Sequence, residues 1–355
     1  AQITASYLLL GGIAFIGLLL IPSVLESGRK LMGRTPKSQR PLSLRQLNLA
    51  LVLIAAGILL VSTGSIQGGL PFILIHVFAN GVFAVWMIQL VQKGMEIGSR
   101  QRFWGVFGSG LALAPALALI VEILLLILVG LVWFAYLQSR PELLQEISQL
   151  VNRLPQSAVN PAILERVAGK YLIQPGVMGT ILVYLAVMIP LVEELVKPIG
   201  VWLLLRRNLT AWEGFFLGAL SGAGYALFEN LTIGANAEIW TVVLISRIGT
   251  TAVHMLTSGM VGWGMTAAWS GKRILRLGYA FLAAVILHGV WNGLNVINLL
   301  TAVPDLETAL GTFPALYAAY APVGLVILGL GSLLGLIRAN SYFQRAIIAQ
   351  NTTTK

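Results

Sequence analysis

The chain is 355 residues long, 57% hydrophobic and only 10% charged, against roughly 25% charged residues in ordinary soluble domains. It carries a formal charge of +10 and no cysteine, so disulfides and thiolate metal sites are excluded. On so apolar a chain (mean hydropathy +0.85) a basic excess reflects membrane topology rather than nucleic-acid binding.

Hydrophobic runs of about 20 residues recur along the whole length, enough to cross a hydrocarbon core of about 30 Å. The expected fold is an all-α, polytopic integral membrane helix bundle of about nine transmembrane helices. They lie near residues 4–25, 47–63, 70–92, 104–137, 177–205, 213–235, 240–269, 278–302 and 314–338. Residues 1–137 read as an amino-terminal group of about four spans with few polar residues. No small-x-small cleavage site follows the first run, so it is taken as a helix rather than a signal peptide. The 104–137 run, at 1.5 Å per residue, is about 50 Å long. It must tilt and project beyond the bilayer, or be divided at Pro115 into an interfacial piece and a true span.

Residues 138–176 read as an extracytoplasmic segment of two short amphipathic helices. Ser139 and Glu142 stand at capping-box spacing before the first, and Asn160 with Pro161 opens the second. Residues 177–302 form a four-helix core that collects nearly all the unusual polar groups. Gly218 with Gly222 and Gly289 with Gly293 give it small-xxx-small spacings suited to close backbone approach. Residues 303–355 hold the last transmembrane helix and a polar tail.

With the amino terminus outside and the carboxy terminus cytoplasmic, 17 of the 23 Lys and Arg residues fall in cytoplasmic segments. Every short outer loop then lacks them, as the positive-inside rule requires. The expected location is a prokaryotic cell (inner) membrane.

A charge near the bilayer centre costs about 2.5 kcal/mol or more, yet Glu193, Glu194 and Lys197 share one apolar run. Glu229, His254 and His288 sit in the next three. Counting about 1.5 Å per residue from the nearest cytoplasmic basic residue puts Glu193, Glu194 and His288 at about 18–20 Å, with Asn292, Glu229 and His254 at about 24–27 Å. Helices running alternately up and down thus bring these groups into one slab about 10 Å thick. Polar stripes agree: His288, Asn292 and Asn295 share a face, as do Arg247, Thr250, Thr251, His254, Thr257 and Ser258.

Such a set suits water activation. Two adjacent carboxylates repel in a low dielectric, and Lys197 keeps one of them charged. The other can act as general base, with an imidazole orienting the water or protonating a leaving amine. The Asn292 amide can donate to a developing oxyanion. Alternatively, His254, His288 and Glu229 bind zinc as a two-His, one-carboxylate set, and a remaining glutamate is the base. The plainer readings are a structural ion pair for Glu193, Glu194 and Lys197, and hydrogen-bonded core histidines for His254 and His288. His76 and Glu122 are expected to be structural, and Arg247 to snorkel outward.

At these residues the sequence resembles the PrsW-type intramembrane proteases, and more distantly the CAAX-processing and bacteriocin-immunity membrane endopeptidases. The resembling stretches are Glu193-Glu194-x-x-Lys197, Tyr225-x-x-x-Glu229 with Asn230, His254 with Gly259, and His288-x-x-Trp291-Asn292. The resemblance implies an endopeptidase that cuts a membrane-anchored protein, an anti-sigma-factor-like regulator being a candidate. It places Glu193, Glu194, Glu229, His254, His288 and Asn292 at the catalytic positions. It leaves glutamate-based and zinc-dependent chemistry both open. Lys197 stands where the CAAX enzymes have an arginine one place later, and Glu229 where they have a histidine, which argues against a prenyl-protein substrate. A proton- or ion-coupled transporter and a catalytically silent membrane scaffold are the alternatives.

Overall fold

A computed structural model describes residues 2–39, 44–95, 98–153, 174–233, 237–300 and 312–353. The second expected amphipathic helix, at Asn160 and Pro161, lies outside these residues. The described chain is helical throughout, with one isolated bridge between Ser38 and Ser99. Three helices come first: α1 (Gln2–Leu31), α2 (Leu44–Ser62) and α3 (Gly69–Gln92).

The long run that follows is a single rod. Helix α4 (Arg100–Gly108) passes through a π turn, Ser109–Leu113, into α5 (Ala114–Gln138). Proline 115 therefore does not divide it. A proline has no N–H to donate and its ring crowds the carbonyl four residues back. The turn before it widens instead, and the Ala114 N–H reaches Ser109 O, five residues back. A rod of 39 residues, Arg100–Gln138, is about 58 Å long and must tilt or project. Ser139 closes this rod, its hydroxyl donating to Tyr136 O at 2.7 Å. The amphipathic helix α6 (Pro141–Arg153) starts only after it, so Ser139 is not the first residue of a capping box.

The next rod repeats the device. Helix α7 (Pro175–Val183) leads through a π turn, Tyr184–Met188, into α8 (Ile189–Val196), and again a proline, Pro190, follows one residue after the wide turn. Here the Ile189 N–H reaches Tyr184 O. Pro198 then ends α8, and the chain continues through α9 (Ile199–Trp202) and a 3-10 turn at Leu205–Arg207. A capping box between Thr210 and Glu213 opens α10 (Ala211–Thr232). Three long helices finish the chain: α11 (Ala237–Gly271), α12 (Ile274–Leu300) and α13 (Thr312–Thr353).

Among the described residues, eight helical stretches are long and apolar enough to cross a membrane, against the nine expected. The remaining candidate is α10. Its 22 residues span about 33 Å, but it is rich in glycine and almost wholly buried. It lies in the middle of the bundle against α1, α3, α4, α11 and the first π turn, so neighbouring helices rather than lipid cover it. Close backbone contacts hold it there. A Cβ at Gly110 would stand 2.1 Å from Ser221 O, and one at Gly222 would stand 2.4 Å from His254 O. The outer helices expose bulky apolar side chains such as Leu53, Leu124 and Val132, each more than 60% exposed. Only a lipid face makes that favourable.

Candidate active site

Helix α8 carries Glu193 and Glu194, and Lys197 follows as its last helical hydrogen-bond donor, N–H to Glu193 O at 2.8 Å. The i, i+4 and i, i+3 spacings bring the lysine side chain back over both acids. Its ammonium lies 2.7 Å from Glu193 Oε2 and 2.9 Å from Glu194 Oε1. Two other helices complete the cluster. From α11, His254 Nδ1 stands 2.6 Å from Lys197 Nζ, and from α12, His288 Nδ1 stands 3.3 Å from it. Lys197 and Glu194 are fully buried, and His254 and His288 are 1% exposed. The Tyr225 ring of α10 closes the cluster, its centroid 4.9 Å from the ammonium.

An ammonium only donates, so His254 must accept at Nδ1 and carry its proton on Nε2. That nitrogen faces Glu229 Oε2 at 2.8 Å, and the other Glu229 oxygen accepts from Arg247 at 2.7 Å. Arg247 therefore serves an ion pair beside the site and does not snorkel away from it. Thr257 donates to Glu194 Oε1 at 3.0 Å. His288 sits between the acids, its Nδ1 3.0 Å from Glu194 Oε1 and its Nε2 3.7 Å from Glu193 Oε2. The imidazoles meet edge to face, with centroids 4.8 Å apart.

Backbone packing aims these groups. Gly222 lets α10 touch α11 at the His254 carbonyl, and a Cβ at Gly289 would stand 2.3 Å from Ala186 O. That second contact seats α12 on the wide turn of the α7–α8 rod. The Asn292 amide donates to Leu185 O in the same turn, at 3.1 Å. Asn292 thus contacts backbone that precedes the acids in the chain rather than the Lys197 cluster. Asn230 joins α10 to α11 next to Glu229, donating to Thr251 at 3.0 Å.

Glu193, His254 and His288 each offer a donor atom, and these atoms lie within 4.8 Å of one another. The donor types suit a divalent cation of the zinc kind. The Glu229 carboxylate behind His254 is the partner that fixes a metal-binding imidazole. The residues present therefore fit a metal, with Glu193 as the nearest carboxylate and Glu229 on the far side of His254. The centre of this donor set, however, is where Lys197 Nζ stands.

Two acids lie at the edge of the cluster. The Glu229 side chain is 35% exposed and Arg247 22%, so the site opens on their side. Glu122, on α5, is close enough to Glu193, Lys197 and Glu229 for their charges to act on it, and its buried Oε1 has no hydrogen-bond partner. Sequence reasoning set Glu122 aside as a lone acid. The available signal was the one used for Glu193: an acid kept in an otherwise lipid-soluble run.

Residues 156–325 match the model of the PrsW family intramembrane metalloprotease. No curated protein and no solved structure matches the chain. The matched segment takes in α8, α10, α11 and α12, and with them every acid, imidazole and ammonium of the Lys197 cluster. Over that segment the chain is similar to the PrsW-type intramembrane metalloproteases, and the similarity supports a protease.

Proposed function

We propose that the Lys197 cluster is the catalytic centre and that it hydrolyses a peptide bond in a membrane-anchored protein. The observation that carries this reading is the convergence of Glu193, Glu194, His254 and His288, from three helices, on one buried point. Glu193 is the base. It is the least buried of the two acids on α8, at 8% against 0% for Glu194, so water and substrate reach it first. Glu193 takes a proton from water as the water oxygen attacks the carbonyl carbon. The same proton then goes to the leaving nitrogen, giving one carboxylate and one amine. Glu194, held by Lys197 and Thr257, supplies fixed negative charge. Glu229 fixes the tautomer of His254, and His288 bridges the two acids. Asn292 is assigned to positioning, because its amide holds the wide turn that precedes α8.

A zinc ion bound by Glu193, His254 and His288 would polarise the carbonyl and lower the cost of forming hydroxide, and the base would then be a remaining glutamate rather than Glu193. The basic-residue distribution supports an outer amino terminus and a cytoplasmic carboxy terminus, and the proposed location is a prokaryotic cell membrane. The group 1–137 and the segment 138–176 would control entry to the site. A single-span regulator of the anti-sigma-factor type is the proposed substrate. In proteoliposomes containing a single-span substrate, Glu193→Gln should lower cleavage by about 10³-fold, with the unfolding profile in detergent unchanged. Cleavage at the wild-type rate by a folded Glu193→Gln protein would remove the assignment.

A further inference from the structure

Four side-chain nitrogen and oxygen atoms stand around the Lys197 ammonium at 2.6–3.3 Å: Glu193 Oε2, Glu194 Oε1, His254 Nδ1 and His288 Nδ1. His288 Nδ1 is nearer to Glu194 Oε1, at 3.0 Å, than to the lysine, and with both imidazoles neutral the set is complete for a four-coordinate divalent cation. Its spacing is that of hydrogen bonds, about 0.5 Å or more longer than metal–ligand bonds of about 2.0–2.2 Å. Charge points the same way. Arg247 matches Glu229, which leaves Glu193 and Glu194 facing Lys197 alone, two negative charges against one positive. Burial makes such an imbalance costly. One further acid bears on the cluster. Glu122 lies within electrostatic range of Lys197 and keeps a buried oxygen with no hydrogen-bond partner.

We propose that Lys197 is an exchangeable occupant of the metal position: its ammonium and a divalent cation hold the same four donors in turn, and the displaced ammonium moves to Glu122. The proposal rests on reading Glu193, His254 and His288 as a metal-donor set. With the cation bound and Lys197 paired to Glu122, three carboxylates face an ammonium and a divalent ion, and the buried charges balance. Lys197 then keeps the donors ordered and out of lipid when no metal is present, and sets how tightly metal is held.

Cobalt(II) is the probe, titrated into detergent-purified protein and read by its visible absorption. Replacing the lysine by Lys197→Met removes the competitor and should tighten cobalt binding on the order of a hundredfold, the equivalent of about two charge-assisted hydrogen bonds. Glu122→Gln alone should weaken binding by about tenfold, and should have no effect in the Lys197→Met background. Equal or weaker binding by Lys197→Met overturns the exchange, and a Glu122→Gln effect that persists without the lysine overturns the landing site. If the Lys197→Met protein does not fold, the wild type still decides. Excess cobalt should speed acylation of Lys197 by an amine reagent, read by peptide mass spectrometry, and an unchanged rate overturns the proposal. Because these readings are of metal affinity, they stand or fall separately from the cleavage test on Glu193→Gln.

Discussion

All three histidines of the chain are buried to the same degree, His76 at 3% exposure and His254 and His288 at 1%, yet they stand in two different kinds of surroundings. His76 accepts at Nδ1 from the Trp240 indole at 3.0 Å, and Asn80 donates to its backbone carbonyl at 2.9 Å. No acid joins them in any contact seen among the described residues, and the Phe72 ring packs edge to face on Trp240. His76 is a polar pin that fastens α3 to α11. His254 and His288 instead share one ammonium with two carboxylates and have a third carboxylate behind them. Burial of an imidazole therefore says little about its task. What separates the two sites is whether acceptors from several helices are aimed at a common centre.

The sharpest way to break this contrast is to exchange the consequences. Replacing His254 with alanine should lower proteolysis by about 10³-fold while leaving the fold intact by circular dichroism, and a cleavage rate near wild type would erase the distinction. Removing the fully buried Glu194 through Glu194→Leu should cost about 3 kcal/mol, read as earlier unfolding in denaturant titrations in detergent, because the buried Lys197 and Thr257 donors both lose their acceptor. A smaller effect is expected where the site is aimed rather than composed. Gly222→Val places side-chain atoms against the His254 carbonyl and should cost about 1–3 kcal/mol, with turnover falling alongside. The smallest effect belongs to the comparison site: His76→Phe should cost about 1 kcal/mol and change turnover less than about twofold, measured at saturating substrate.

How much of this could be read from the sequence differs from residue to residue. The pairing of Glu193 with Lys197 was legible because i, i+4 spacing on one helix needs no tertiary information. The meeting of His254 and His288 with those acids was legible only through depth along antiparallel rods, a count that ignores rotation about each axis. That rotation is what puts Glu229 on the outer nitrogen of His254, and what turns Asn292 toward Leu185. Arg247 was misplaced for a related reason. Near the end of a helix a long cation looks free to reach the interface, and nothing local indicates that Glu229, on another helix, will hold it. Of the two readings of the 104–137 run, the break at Pro115 failed because a proline forbids one hydrogen bond, not the helix, when the preceding turn can widen. The glycines of α10 read as close-approach sites, and that is how Gly218 and Gly222 sit against the Ser258 and His254 carbonyls, at 2.2 and 2.4 Å from an added Cβ.

The wide turn at Tyr184–Met188 amounts to one extra residue spliced into a straight rod. Excising a single residue there would swing Glu193, Glu194 and Lys197 together by about 100° around the axis of α8. The ion pairs within that helix would survive, but the imidazoles of α11 and α12 would be left facing the wrong side of it. Chain length in this turn is therefore as strict a requirement as the identity of any acid it precedes, and a deletion within it would unmake the site without removing one of its members.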